Sequence, residues 1–387
     1  MFGLKRVLRR GATEARTSLL GRVDWMLLLF SVPISIAGLI TMRSYGGDNA
    51  FFDHQLAWLA VGITVFLVCS FVDVSIFKKT NVIVGIFLFF VALLILVFFV
   101  GHTVNGARSW FSFGGFSIQP SDFMKIVLIF VLAKYFSRRH VAIGQVRHLL
   151  ISGAYAFVPF VLVFLEPDFG VAFIIGLIWL GMALVAGIKK RHLLLLFGVG
   201  AVMFTILWSF VFQPYQKARI TTFVSPLSDI HGRGYNAHQA VIAVGSGGIL
   251  GKGVGYGTQS RLRFLPEYQT DFIFAAFAEE WGYVGALLLL LLYGLLLARI
   301  LTGAIHGESN FETLFASGVM VLFITHILIN VGMNIGIMPV TGITLPFMSY
   351  GGSHLIVEFG ALGILSSMRT RTRRTHPEDL SKEFEGL

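Results

Sequence analysis

Long apolar runs alternate with short polar connectors along almost the whole chain. The runs fall at about 24–42, 55–73, 81–100, 121–137, 149–165, 170–188, 193–213, 271–300, 314–338 and 353–368. Each approaches the ~20 residues that a helix needs to cross a bilayer, and the stretch from Thr80 to Val100 carries no charge. The pattern predicts an all-α, polytopic membrane protein of about ten transmembrane helices. It places one membrane-embedded domain over 24–368, after a basic stretch at 1–22 and before a polar tail at 369–387. The first run has no small-residue cleavage site and is long enough to span, so it reads as a retained helix.

Two connectors depart from the pattern. One covers about 101–120. The other covers about 214–270, between the seventh and eighth runs, and is far longer than a connector needs to be. It holds many glycines but also Tyr, Phe and Ile, which predicts an ordered segment lying against the membrane. The fifth and sixth runs are joined tightly through Glu166-Pro167-Asp168-Phe169-Gly170.

Charge sets the expected orientation. With both termini in the cytoplasm, roughly 21 of the basic residues fall on that side, as the positive-inside rule requires. Lys78, Lys79, Lys134, Arg138, Lys189, Lys190, Arg191, Arg299 and Arg369 are among them. The formal net charge of +10 is then a matter of topology and implies no nucleic-acid partner. With 13% charged residues, 56% hydrophobic residues and a mean hydropathy of +0.79, a soluble globule is excluded, since such proteins run near one quarter charged. The lone Cys69 forms no internal disulfide and reads as a packing residue.

Candidate chemistry gathers on the expected outer side. Asp271 stands where the long connector becomes a helix, a depth at which an ionisable group is a functional candidate. A helix N-cap or first-turn carboxylate is the structural alternative. At about 100° per residue, Glu279 lies about 80° from Asp271 around that helix and Glu280 about 180° away. Glu279 is therefore the one to share a cavity with Asp271, and Glu280 reads as a hydrogen-bond hub between helices. Pro120-Ser121-Asp122 reads as a helix start, with Lys125 one turn inside. Lys125 can pair locally with Asp122, or reach Asp271 or an anionic substrate.

The stretch Gly245–Gly253 invites a phosphate-loop label and fails it. Ser246 stands where the Walker pattern needs Gly, and Gly253 follows Lys252 where Ser or Thr is required. What survives is a set of backbone N–H groups beside Lys252 that can bind an anion, with Arg219, Arg233, Arg261 and Arg263 nearby in sequence. Asn330, Asn334, Pro339, Thr341, Gly342, Pro346, Ser349, Tyr350 and Gly351 form a polar, broken passage between two helices. Irregular backbone at membrane depth survives only where it lines a cavity or is buried in protein. Glu358 should face inward. His326 and His354 read as hydrogen-bonded helix residues, since no partner spacing supports a metal.

These motifs resemble the SEDS family of shape, elongation, division and sporulation proteins, over roughly 24–368. The matching segments are NGARSW and FSIQPSD..K, EPDFG, GYNAHQA.IA.GSGG..GKG, FLPEYQTDFIF..FAEEWG and N.GM..GIMPVTGITLPFMSYGGS. The short tail and compact N-terminus resemble the elongation branch more than the division branch. The resemblance implies ten transmembrane helices with a large outer loop after the seventh, and peptidoglycan glycosyltransfer that uses lipid II and a nascent glycan strand. It maps the catalytic carboxylate onto Asp271 and a neighbouring lysine onto Lys125. Arg108, Trp110, Arg219, Gln239, Ser246, Lys252, Glu279 and Ser349 stand as substrate-binding candidates. Implied partners are a class B penicillin-binding protein, the elongation machinery and membrane lipids, in a bacterial inner membrane with the site outside.

Several positions depart from the family pattern. Gln269 stands for His, Glu166 for Gln, Asp122 for Glu, Thr344 for Pro, His354 for Ser and Asn236 for Gln. Gln269 weakens any histidine proton relay, and Glu166 adds a charge near the outer mouth. In the expected reaction Asp271 accepts a proton from a sugar hydroxyl. Basic outer residues or a divalent cation, Mg or Mn, would stabilise the leaving diphosphate. Two other readings fit the same architecture: a flipping path for lipid II through the polar interior, and a non-catalytic scaffold for a penicillin-binding protein.

Overall fold

The computed structural model describes residues 23–44, 50–104, 107–113, 116–138, 146–212, 217, 221, 223, 234–262 and 264–375. The apolar runs become helices: α1 (Trp25–Ser44), α2 (Ala50–Phe71), α3 (Thr80–Val100), α4 (Pro120–Ser137), α5 (Val146–Leu165), α6 (Phe169–Val185) and α7 (Lys190–Ile206). After the long connector come α10 (Ile273–Ile305), α11 (Asn310–Asn334) and α12 (Gly352–Thr375). Within the connector lie α8 (Tyr235–Ser246) and the single turn α9 (Thr258–Arg261).

Among the described residues, seven of these helices are long and apolar enough to cross a membrane, and α6 is a shorter apolar helix. The chain is thus a multi-pass membrane protein with an all-helical membrane part. Helices α4 and α12 fall short of the apolar criterion for a physical reason. They carry Asp122, Lys125, His354 and Glu358, which are buried inside the protein and never meet lipid.

Small residues let the helices approach closely, the usual device where no hydrophobic effect drives helices together in lipid. Helices α2 and α12 pack this way. A side chain at Gly62 would press on the Phe359 ring, and one at Gly363 would press on the Phe66 carbonyl and Cys69. Cys69 is accordingly a packing residue and a free thiol. Helix α7 has no buried residue and ends in a π turn, Leu207–Val211.

The connector at 101–120 is not irregular. It forms a three-stranded antiparallel sheet in the order β1 (His102–Val104), β2 (Ala107–Phe113), β3 (Phe116–Ile118). His102 lies opposite Trp110, and Phe111 opposite Ile118.

Helix α10 is broken at Gly282, whose φ of 66° and ψ of −166° are not helical. The segment 247–253 inserts its backbone into the break. Tyr283 N donates to Gly248 O at 2.9 Å and Val284 N to Ile249 O at 3.1 Å. In return Lys252 N donates to Glu279 O and Gly253 N to Glu280 O, both at 3.0 Å. Only glycine fits the contact, because a Cβ on Gly251 would overlap the Glu280 carbonyl and one on Gly282 would overlap Gly251 N. At the opposite end of α10, Arg299 and Arg369 both bind Asp24, at 2.7 and 2.8 Å, joining α1, α10 and α12.

Candidate active site at the start of helix α10

Asp271 sits in a turn immediately before α10 and is half-buried. It does not cap the helix. The cap position is Phe272, which makes no side-chain cap bond. Three consecutive carbonyls around it are clamped instead. Tyr350 N donates to Gln269 O at 2.8 Å, and Ser349 Oγ donates to Thr270 O at 2.7 Å. Asn330 Nδ2 and Asn334 Nδ2 donate to Asp271 O at 3.0 and 3.1 Å.

The clamp comes from one stripe of α11. His326, Asn330 and Asn334 recur at intervals of four, so they share a helix face. Asn330 also donates to Ile343 O at 2.7 Å, and Asn334 Oδ1 accepts Ala275 N at 3.1 Å. His326 Nδ1 donates to Thr344 O at 3.1 Å. The broken passage 339–351 is thereby fastened between α11 and the start of α10. Gly342, at φ +76°, lies under the Asp271 carboxylate, and a Cβ there would sit 3.5 Å from Oδ2. Phe347, at φ +61°, is held in the left-handed region by its N–H bond to Glu358 Oε2 at 2.7 Å. Backbone in such a region costs about 1–3 kcal/mol and persists only where the surroundings over-determine it.

Lys125 is buried one turn into α4. Its ion pair is the local one, to Asp122 Oδ1 at 2.9 Å. Ser353 Oγ donates to the other oxygen of Asp122 at 2.7 Å. Lys125 Nζ also approaches His326 Nε2 at 3.5 Å. Because an ammonium only donates, this contact sets Nε2 as acceptor and leaves the proton on Nδ1 for Thr344 O. His326 so joins the Lys125–Asp122 pair to the passage beside Asp271. In front of α4, an apolar groove of about 320 Å³ is lined by Phe90, Leu93, Leu96, Phe111, Ile118, Pro120 and Phe123.

The EPDFG segment braces the same place. Asp168 caps α6 through Val171 N at 3.1 Å and accepts Gln119 Nε2 at 2.8 Å, tying α6 to the start of α4. Gly170 admits the passage, since a Cβ there would meet Thr341 O at 2.7 Å. Glu166, in the connection between α5 and α6, is 1% exposed. Burial first, and the Asp168 carboxylate second, push its carboxyl up to about 8. Burial thus favours the neutral carboxyl, which has nearly the shape of glutamine.

Five further candidates have partners within the fold. Glu279 does not share the surroundings of Asp271: its fully buried carboxylate accepts Lys252 Nζ at 2.7 Å, Thr258 N at 2.8 Å and Gln259 N at 3.1 Å. Lys252 thereby anchors the long connector, and its own N–H and that of Gly253 are engaged by the broken helix. Ser246 Oγ donates to Ala243 O at 2.9 Å and lies 3.5 Å from Glu279. Ser349, fully buried, holds Thr270 O and accepts Leu345 N at 2.8 Å. Arg108 closes the end of α3, donating to Gly101 O at 2.7 Å and Phe99 O at 3.2 Å. All five thus make hydrogen bonds that hold the fold together around the site.

Trp110 is half-buried in β2 and Gln239 half-buried in α8. Arg219, Arg233 and Arg263 lie outside the described residues. No group of three His, Cys, Asp or Glu side chains among the described residues forms a metal site.

A family model for cell cycle proteins of the FtsW, RodA and SpoVE type matches residues 19–374. The chain belongs to this family. The peptidoglycan glycosyltransferase MrdB of Escherichia coli K12 is 34% identical over 348 residues, covering 90% of this chain and 93% of MrdB. A solved peptidoglycan synthase complex, described as coordinating polymerization and crosslinking, contains a chain that superposes with a TM-score of 0.78 at 29% identity. That match covers 92% of this chain and 99% of the other. The rod shape determining protein RodA of Thermus thermophilus gives a TM-score of 0.68 at 29% identity, over 90% of this chain and 97% of RodA.

Proposed function

We propose that the protein is a peptidoglycan glycosyltransferase that polymerises lipid II, with Asp271 as general base. The acceptor sugar hydroxyl attacks the anomeric carbon of a second, lipid-linked sugar. Its proton passes to Asp271 Oδ, the bond from that carbon to the diphosphate breaks, and the diphosphate leaves with the electron pair. Lys125, held in place by Asp122 and His326, faces the departing charge. The apolar groove before α4 suits the polyprenyl tail of the substrate.

The observation that carries this reading is the clamp on three successive carbonyls around a half-buried carboxylate. A base works when its position is fixed before the substrate arrives. The protein offers no cage of three metal ligands among its described residues, so a divalent cation would reach the site bound to the diphosphate.

All ten long helices cross the bacterial inner membrane in this reading, as one domain, with both termini in the cytoplasm and Asp271 near the outer surface. A class B penicillin-binding protein is the fitting partner, since a crosslinking enzyme must receive the new strand. The elongation machinery is the cellular setting. The test is polymerisation of lipid II by purified protein, alone and with such a partner. Asp271→Asn should fold and insert, yet lose at least about 100-fold in rate, the usual worth of a general base. A near-native rate would remove Asp271 from the mechanism.

A further inference from the structure

The end of α10 far from Asp271 borders a second site. A cavity of about 390 Å³ lies among α1, α10, α11 and α12. Its polar wall contains Asp24, Arg299 and Arg369, and its apolar wall Leu27, Ile300 and Leu365. Two guanidinium groups face the Asp24 carboxylate there, and Glu312, also in the wall, is paired with Lys78 at 2.8 Å, so these groups together carry one more positive than negative charge. Arg299 gives Nε and Nη2 to Asp24, and its Nη1 donates to nothing among the described residues. The side chains of Arg299 and Arg369 are 18% and 27% exposed. They are held in the wall rather than extended into water. Arg371, Arg373 and Arg374 follow in the last turns of α12.

The two walls call for different parts of one ligand. Surplus cationic donors suit a phosphate, and basic pockets between membrane helices bind anionic headgroups in this way. The adjoining leucines and isoleucine suit a hydrocarbon chain, for which a soluble anion has no use. We propose that this cavity binds an anionic phospholipid from the leaflet on its own side of the membrane, its phosphate on Arg299 and Arg369 and an acyl chain along Leu27 and Leu365. The site is separate from Asp271 and does not depend on the reading given to that carboxylate.

The experiment uses full-length protein in nanodiscs of mixed phosphatidylglycerol and phosphatidylcholine, with native mass spectrometry of the lipids retained after transfer to detergent. Phosphatidylglycerol should be retained in preference to phosphatidylcholine. Gly303→Phe should abolish that preference, because Gly303 lines the cavity and a side chain there meets no atom within 4 Å at its Cβ. It fills the space without touching the three charged groups. Arg369→Gln keeps the Arg299–Asp24 pair and should weaken retention roughly fivefold, the worth of one basic residue near a membrane surface. Thermal melting reports the folding of each variant, and if one fails to fold the other decides. Undiminished preference in a folded variant overturns the proposal, as does equal retention of both lipids by the native protein. Displacement of the lipid by glycerol 3-phosphate would reassign the site to a soluble phosphate and overturn the lipid.

Discussion

Two stretches of this chain carry polar groups that suggest chemistry, and they meet the fold in opposite ways. At Gly245–Gly253 the fold is held by side chain and main chain together: Lys252 Nζ on Glu279, and the N–H groups of Lys252 and Gly253 on the broken turn of α10. At Gln269–Asp271 it is the backbone that is engaged, through Tyr350, Ser349, Asn330 and Asn334. The carboxylate between them stays at the half-buried surface. A polar cluster is suited to be a site when its main chain is pinned around a carboxylate at a half-buried surface. It becomes scaffold when the side chains do the pinning.

This contrast can be broken most sharply at the two carboxylates of one helix region. Asp271→Asn should reduce lipid II polymerisation by about two to four orders of magnitude while the melting temperature stays near native. Glu279→Ala should do the reverse. It leaves Lys252 without its anion and several buried N–H groups without an acceptor, an effect of roughly 1–3 kcal/mol for each unsatisfied group. The folded fraction should fall while the activity of what remains folded is retained. Equal loss of activity per folded molecule in both variants would erase the distinction.

Glycines of one motif give the next largest difference. Gly251→Ala should destabilise strongly, since φ is +81° and the new Cβ would overlap the Glu280 carbonyl. Gly245→Ala meets no atom within 4 Å and lies in α8, so it should be neutral or slightly stabilising, as alanine is the better helix former by about 1 kcal/mol. A phosphate cradle would instead lose ligand affinity with both. Asn330→Ala should slow turnover by roughly fivefold while Asn334 still holds Asp271 O, in keeping with about 1 kcal/mol for one hydrogen bond. Turnover rather than apparent substrate affinity should carry the change.

The effect at Glu166 is small at low pH and grows as pH rises. Its carboxyl is raised in the folded state to about 8 from the ordinary 4.5, so the folded protein holds a proton that the unfolded chain has released. Stability should fall as pH rises from about 5 to 8 and level off above that, following the proton linkage. Glu166→Gln should flatten that slope and melt a few degrees higher at pH 8.5, with little change at pH 5. A parallel fall in both proteins would assign the slope to other groups.

The helices were legible because an apolar run of membrane length has few other meanings. Ends differ by several residues where polar side chains face protein instead of water, as at Asn334. The sheet at 102–118 was missed although its signals stand in the sequence. Asn105-Gly106 and Gly114-Gly115 are the dipeptides that join paired strands, and they fall between β1, β2 and β3. Asp271 and Lys125 were placed by motif. The glycine-rich segment was not legible as a helix junction, because its partner, the break at Gly282, is nearly thirty residues away and no local pattern announces a close approach of two backbones. The stripe of His326, Asn330 and Asn334 could have been found from its spacing of four.

That stripe has a consequence for how the protein can vary. One rigid rod holds the passage at Thr344, at Ile343 and at Asp271, so all three attachments keep a common phase. Inserting or deleting a single residue in α11 before His326 would rotate them together by about 100°, releasing the whole assembly in one step. Length changes should therefore be barred from this helix while point changes around its lipid-facing side accumulate freely, and α11 serves the fold as its measuring stick.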